Sequence, residues 1–160
     1  MRYFAKFLKI IPNWVISTVV LLLIIYISLD SNPLDINSII LFEGADKLIH
    51  FIMYFVLCSA YIIDYAKSRM PHHTKVGTEL VFCFLCIAIG LLFEILQSVI
   101  TDSRTYDSYD VISNTAGAIV AFLMFHFWAM HKLRRYMVPL YVHHHHHHSS
   151  SRHHSSRSKR

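Results

Sequence analysis

The side chains of this chain that could move a proton, grip a phosphate or bind a cation gather in two stretches. The first holds Asp46, Lys47 and His50; the second runs from Glu94 and Gln97 through Arg104, Asp107 and Asp110 to Asn114 and Gly117. Asp46 and His50 are four apart, Glu94 and Gln97 three apart, and Asp110 and Asn114 four apart, so each pair shares one face of a helix. A carboxylate partly withdrawn from water, such as Glu94, suits general acid or base work, and the His50 imidazole suits the same task. Lys47 and Arg104 could hold a phosphate or pyrophosphate, with the guanidinium as a planar fork. Glu94, His50 and Asp107 are therefore the catalytic candidates, and Lys47, Gln97, Arg104 and Asn114 the substrate-binding ones. Asp46, Asp110 and Gly117 could serve the site or the structure. Asp46, His50, Glu94, Asp107 and Asp110 also offer oxygen and imidazole ligands for Mg, Mn or Zn. No closed signature such as H-E-x-x-H is present, so no metal ligands are assigned; the cofactor stays unknown, with a divalent metal open.

These residues must be positioned by membrane helices. Of the 160 residues, 54% are hydrophobic and only 16% charged, where a soluble domain carries about 25% charged residues. The apolar residues fall into four blocks near the ~20 residues that cross a bilayer. The blocks predict an all-α fold, an integral membrane four-helix bundle in one domain over 1–142. Its helices are expected at about 10–29, 46–65, 79–100 and 110–131. Pro12 is expected in the first turn of the first helix, where a missing N–H is tolerated. The second block, 48–63, is short and needs its neighbours to span. Strands fit poorly, since the runs are too long and do not alternate. The first block exceeds a signal-peptide core and lacks a small-x-small cleavage site, so it reads as a retained helix.

Charge sets the orientation. Of the fifteen Lys and Arg residues, only Lys47 and Arg104 fall on one side of such a bundle. The positive-inside rule then predicts N-in and C-in, with both termini in the cytoplasm. The tail 143–160, HHHHHHSSSRHHSSRSKR, cannot bury a core and reads as disordered, either a tag or a natural His-rich segment. It holds four of the basic residues, so the basic balance does not signal nucleic-acid binding. Cys58, Cys83 and Cys86 lie in apolar helices and read as small packing residues. His126 reads as an interfacial residue near the inner end of the last helix.

With the second helix running inward, the third outward and the fourth inward, the candidate residues converge at the external surface. Glu94 lies six residues inside its block, roughly 9 Å deep at 1.5 Å per residue. Nothing comparable is expected at the cytoplasmic end. Structural roles stand beside the functional ones. Asp46 and Asp110 could cap helices, Glu94 could pair with Arg104, Asn114 could bond across helices, and Gly90 and Gly117 could permit close packing.

The stretches ADKLIHFIMYFVL and GLLFEILQSVITDSRTYDSYDVISNTAGA resemble the VanZ-like family over about residues 40–125. That family has a D-K-x-x-H element opening one helix. An E-x-x-Q element follows, then Arg, Asp, an Asp before the last helix, and N-x-x-G. Here these are Asp46, Lys47, His50, Glu94, Gln97, Arg104, Asp107, Asp110, Asn114 and Gly117. The resemblance implies a small bacterial membrane protein, and the founding member lowers susceptibility to the glycopeptide teicoplanin. Glycopeptides act on lipid-linked cell-wall precursors, which carry pyrophosphate. The expected partners are thus membrane lipids or a lipid-linked precursor, and the oligomeric state is undetermined. Three functions follow: an enzyme on a lipid-linked envelope component, a binder of a lipid head group or the antibiotic, or a small transporter or flippase subunit. No inverted repeat supports the third.

Overall fold

Each apolar block folds into a helix, as backbone groups in lipid must be satisfied within their own segment. The computed structural model describes residues 8, 10–29, 44–70, 72–100, 107–132, 135 and 138. The helices are α1 (Val15–Leu29), α2 (Ala45–Arg69), α3 (Val76–Ile100) and α4 (Ser108–Met124). A π-helical turn, Phe125–Ala129, continues α4. No strand occurs among the described residues. The α2, α3 and α4 helices are long and apolar enough to cross a membrane.

Two expectations about length are corrected. The first block is not one helix from residue 10. Pro12 sits in a break, Trp14 takes a left-handed φ of 70°, and α1 begins only at Val15. Proline removes a backbone donor and pushes its predecessor out of helical geometry. At 15 residues α1 is about 22 Å long, short of a ~30 Å hydrocarbon core. Conversely, the second block is not short. Its helix runs 25 residues because it continues through Asp64 and Lys67, which hydropathy reads as the end of the block. It stops at Met70, which is extended at ψ 137°. The following turn is tied back by the Lys75 N–H, which donates to the Tyr65 hydroxyl at 3.3 Å.

The α2 helix is the hub. Tyr54, Leu57, Cys58, Ile62 and Ala66 are buried along it, against Cys83 and Cys86 of α3 and Ala118 and Ala121 of α4. The cysteines are free and buried. The α2–α4 contact is close enough to involve backbone. A Cβ on Gly117 would collide with the Phe51 carbonyl oxygen and come within 3.0 Å of the Phe55 nitrogen. The outward faces stay apolar, with Leu22, Phe84, Leu92, Val99 and Phe127 all more than half exposed. Consecutive helices are antiparallel. The α1 and α3 C-termini thus meet the α2 and α4 N-termini at one end, as the contacts below show.

Candidate functional site

Helix geometry delivers the first three site residues. Gly44 precedes α2 in a left-handed conformation (φ 88°) without a side-chain cap. Asp46 is therefore not the N-cap but a first-turn residue, and its carboxylate pairs with Lys47 at 3.0 Å. Lys47 also reaches Asp107 at 3.1 Å and Asp110 at 3.7 Å. The α4 N-cap is Asp107, whose Oδ1 accepts the Tyr109 N–H at 2.8 Å. Asp110 is thereby released from the capping role expected of it. Its Oδ2 lies 3.8 Å from His50 Nε2, while its Oδ1 is buried without a hydrogen-bond partner. On its other side the His50 ring meets Asn114, with Nδ1 3.1 Å from Oδ1.

Glu94 and Gln97 are both buried, but they do different things. Glu94 Oε1 accepts the Asp107 N–H at 3.2 Å, which joins α3 to the start of α4. Gln97 donates to the Ser28 carbonyl at 2.9 Å, so its amide ties α3 to the end of α1. One donor atom from each of His50, Glu94 and Asp110 lies within 4.8 Å of the other two. Asp46, Lys47, His50, Glu94, Asp107, Asp110 and Asn114 are thus brought together, with Gly117 beneath them in the α2–α4 seam. Arg104 lies outside the described residues.

The VanZ/LLP1 family model matches residues 3–129. The chain belongs to the VanZ/LLP1 family. No curated protein and no solved structure gives a significant match. The match takes in α1 and the π-helical turn, beyond the stretch that carries the resemblance in sequence. Membership and the membrane-length helices together make this a VanZ-like membrane protein.

The charge balance of this VanZ/LLP1 site is lopsided. Among the described residues, four carboxylates (Asp46, Glu94, Asp107, Asp110) face one ammonium, that of Lys47. The Tyr109 N–H and then the Lys47 ammonium hold the Asp107 carboxyl below its usual range. With three carboxylates around it, Lys47 is a poor phosphate ligand; its charge is already balanced.

Sequence reasoning missed two further polar groups in the VanZ/LLP1 bundle. The opposite end was expected to be bland, yet Asp64 and Lys67 form a fully buried ion pair at 3.2 Å. Ser17 donates to Asp64 Oδ2 from both its N–H and its hydroxyl, each at 2.9 Å. Beside it Glu79, also buried, lies 3.2 Å from His126 Nδ1 in the π-helical turn. His126 is therefore an internal partner rather than a purely interfacial residue. The signal available was the i,i+3 spacing of Asp64 and Lys67, which places them on one face. Tyr54, the other omission, is 1% exposed with a hydroxyl that has no hydrogen-bond partner.

Proposed function

We propose that this protein carries a polar site at the outer face of the bacterial cytoplasmic membrane that modifies a lipid-linked envelope component. Both termini then lie in the cytoplasm, an orientation supported by the Lys and Arg bias. The observation that carries the reading is the convergence of buried Glu94, His50 and Asn114 with Asp110 at one membrane end of the bundle. Ionisable groups are costly at such depth and mark sites of function more often than devices of stability. An amphiphilic substrate fits the position. Its tail stays in the bilayer against the apolar outer faces of the helices, while its head group reaches the carboxylates and imidazole at the helix ends. Glu94, His50 and Asp107 are the acid–base candidates. Arg104 is the candidate for direct phosphate contact.

The test is teicoplanin susceptibility in a sensitive Gram-positive host carrying empty vector, wild type or Glu94→Gln at matched membrane levels. Protection by the wild type and none by the variant supports the reading. Equal protection by both removes Glu94 from the chemistry and favours head-group binding without turnover. No protection by either, with an unchanged lipid profile in the wild-type strain, counts against an envelope-lipid substrate.

A further inference from the structure

We infer that His50, Glu94 and Asp110 form a binding site for one divalent cation with oxygen preference, Mg2+ or Mn2+. The inference deepens the function proposed above and leans on it only for what the ion would do; binding itself stands on geometry. The three donors come from three helices and converge to within 4.8 Å of one another. Two ligands about 2.1 Å from one ion lie no more than about 4.2 Å apart. The 3.8 Å from His50 Nε2 to Asp110 Oδ2 is too long for a hydrogen bond but falls inside that limit, and the distances to Glu94, bounded at 4.8 Å, need that side chain to close by at most about 0.6 Å.

The far side of the ring supports the same assignment. Where Nδ1 is the protonated nitrogen of a neutral ring, Asn114 Oδ1, 3.1 Å away, accepts from it, and the Nε2 lone pair then faces the Asp110 carboxylate. A lone pair facing an anion is unfavourable unless a cation lies between them. A histidine fixed through its second nitrogen is also how metal-binding imidazoles are usually held.

A separate feature lies one turn deeper. Tyr54, four residues after His50, is 1% exposed and its hydroxyl has no hydrogen-bond partner. Helical side chains lean toward their own N-terminus, and the N-terminus of α2 is the site end. The Tyr54 ring lies against Gly90 of α3, one turn before Glu94 on the same helix. With none of the three ligand side chains in hydrogen-bond range, its hydroxyl is left for a water on the ion. A divalent cation would also give a phosphate head group a positive charge to meet among the Asp46, Asp107 and Asp110 carboxylates.

The test is an Mn2+ titration of the full chain in lipid nanodiscs, followed by electron paramagnetic resonance, with no lipid-linked substrate present. Mn2+ favours oxygen-rich sites over imidazole runs, and the histidine tail is common to every variant. The wild type is expected to hold one Mn2+ per chain more than His50→Gln or Glu94→Gln. Asn114→Ala, which frees the ring, is expected to weaken that ion about 10–100-fold. Glu79→Gln, at the opposite end, should bind as the wild type does. If the wild type binds no more Mn2+ than Glu94→Gln, the proposal is overturned and His50 is an imidazolium paired with Asp110. A measurement on the wild type alone covers variants that fail to fold. Mn2+ must broaden the amide resonances of residues 47–54 and 107–117, and broadening confined to the tail overturns the site. Mn2+ binding without any effect on susceptibility would remove the proposed substrate and leave the ion in place.

Discussion

The two ends of this bundle both bury charge, and they do it in opposite ways. In the Asp64–Lys67 pair at one end every polar atom has its match. Lys67 spends its three hydrogens on Asp64 Oδ1, Ile11 O and Pro12 O, at 3.2, 3.2 and 3.4 Å. Asp64 Oδ2 is filled by two donors from Ser17. One positive charge meets one negative charge, and the pair clamps α1 and the break before it onto α2. At the His50 end, among the described residues, Asp46, Asp107 and Asp110 share the one ammonium of Lys47, Asp110 Oδ1 and the Tyr54 hydroxyl lack hydrogen bonds, and His50 and Asp110 face each other without touching. Completeness is what a structural lock requires. Incompleteness in a buried site is a cost that folding alone does not reward, and it is intelligible where a ligand supplies what is missing.

The largest effect should come from breaking the complete end. Asp64→Ala leaves Lys67 buried and unpaired, at a cost of about 3–5 kcal/mol. Thermal unfolding in detergent, followed by helical circular dichroism, reads this. Replacing both partners by leucine should recover most of the loss, since a matched apolar pair has no charge to desolvate. Next is the seam beneath the site. Gly117→Ala puts a methyl group against the Phe51 backbone and should cost about 1–3 kcal/mol by overpacking. Third, Glu94→Gln should leave the unfolding midpoint nearly unchanged, within about 1 kcal/mol, while abolishing function. An unfolding loss as large as that of Asp64→Ala would mean that the two ends do not differ in kind.

The smallest effect is a pH dependence at Asp107. Its carboxyl lies below the ordinary value of 3.8 because the Tyr109 N–H and Lys47 favour the charged form. A depressed folded value contributes stability that is fully present above the unfolded value and lost as pH falls through the folded one. Unfolding followed across the acid range should therefore show a shallow loss below 3.8. Asp107→Asn keeps a capping side chain and should flatten that dependence.

Much of the site could be read from residue types and spacing. The pairs Asp46/His50 and Asp110/Asn114 do share helix faces, and antiparallel alternation brings them together with Glu94. Partner choice could not be read the same way. Periodicity places Glu94 and Gln97 on one face but does not show that Gln97 turns to α1 while Glu94 turns to α4. Nor does it show that Asp107, rather than Asp110, caps α4. Capping depends on the backbone angles of one residue, and candidate caps three positions apart are equivalent in a sequence.

The opposite end was illegible for a different reason. Hydropathy treats Asp64, Lys67 and Glu79 as boundaries of apolar blocks, because it charges each residue alone for leaving water. Lys67 finds Asp64 one turn away, but the burial of Asp64 and Glu79 is tolerable only with partners from other helices, and those partners, Ser17 and His126, lie 47 residues away in each case. The sequence by itself determined what local physics controls: helical blocks, their number, their antiparallel order and the end at which the polar motif collects. Tertiary structure alone decided which of the described charges meet a full set of partners, since that depends on distances between helices.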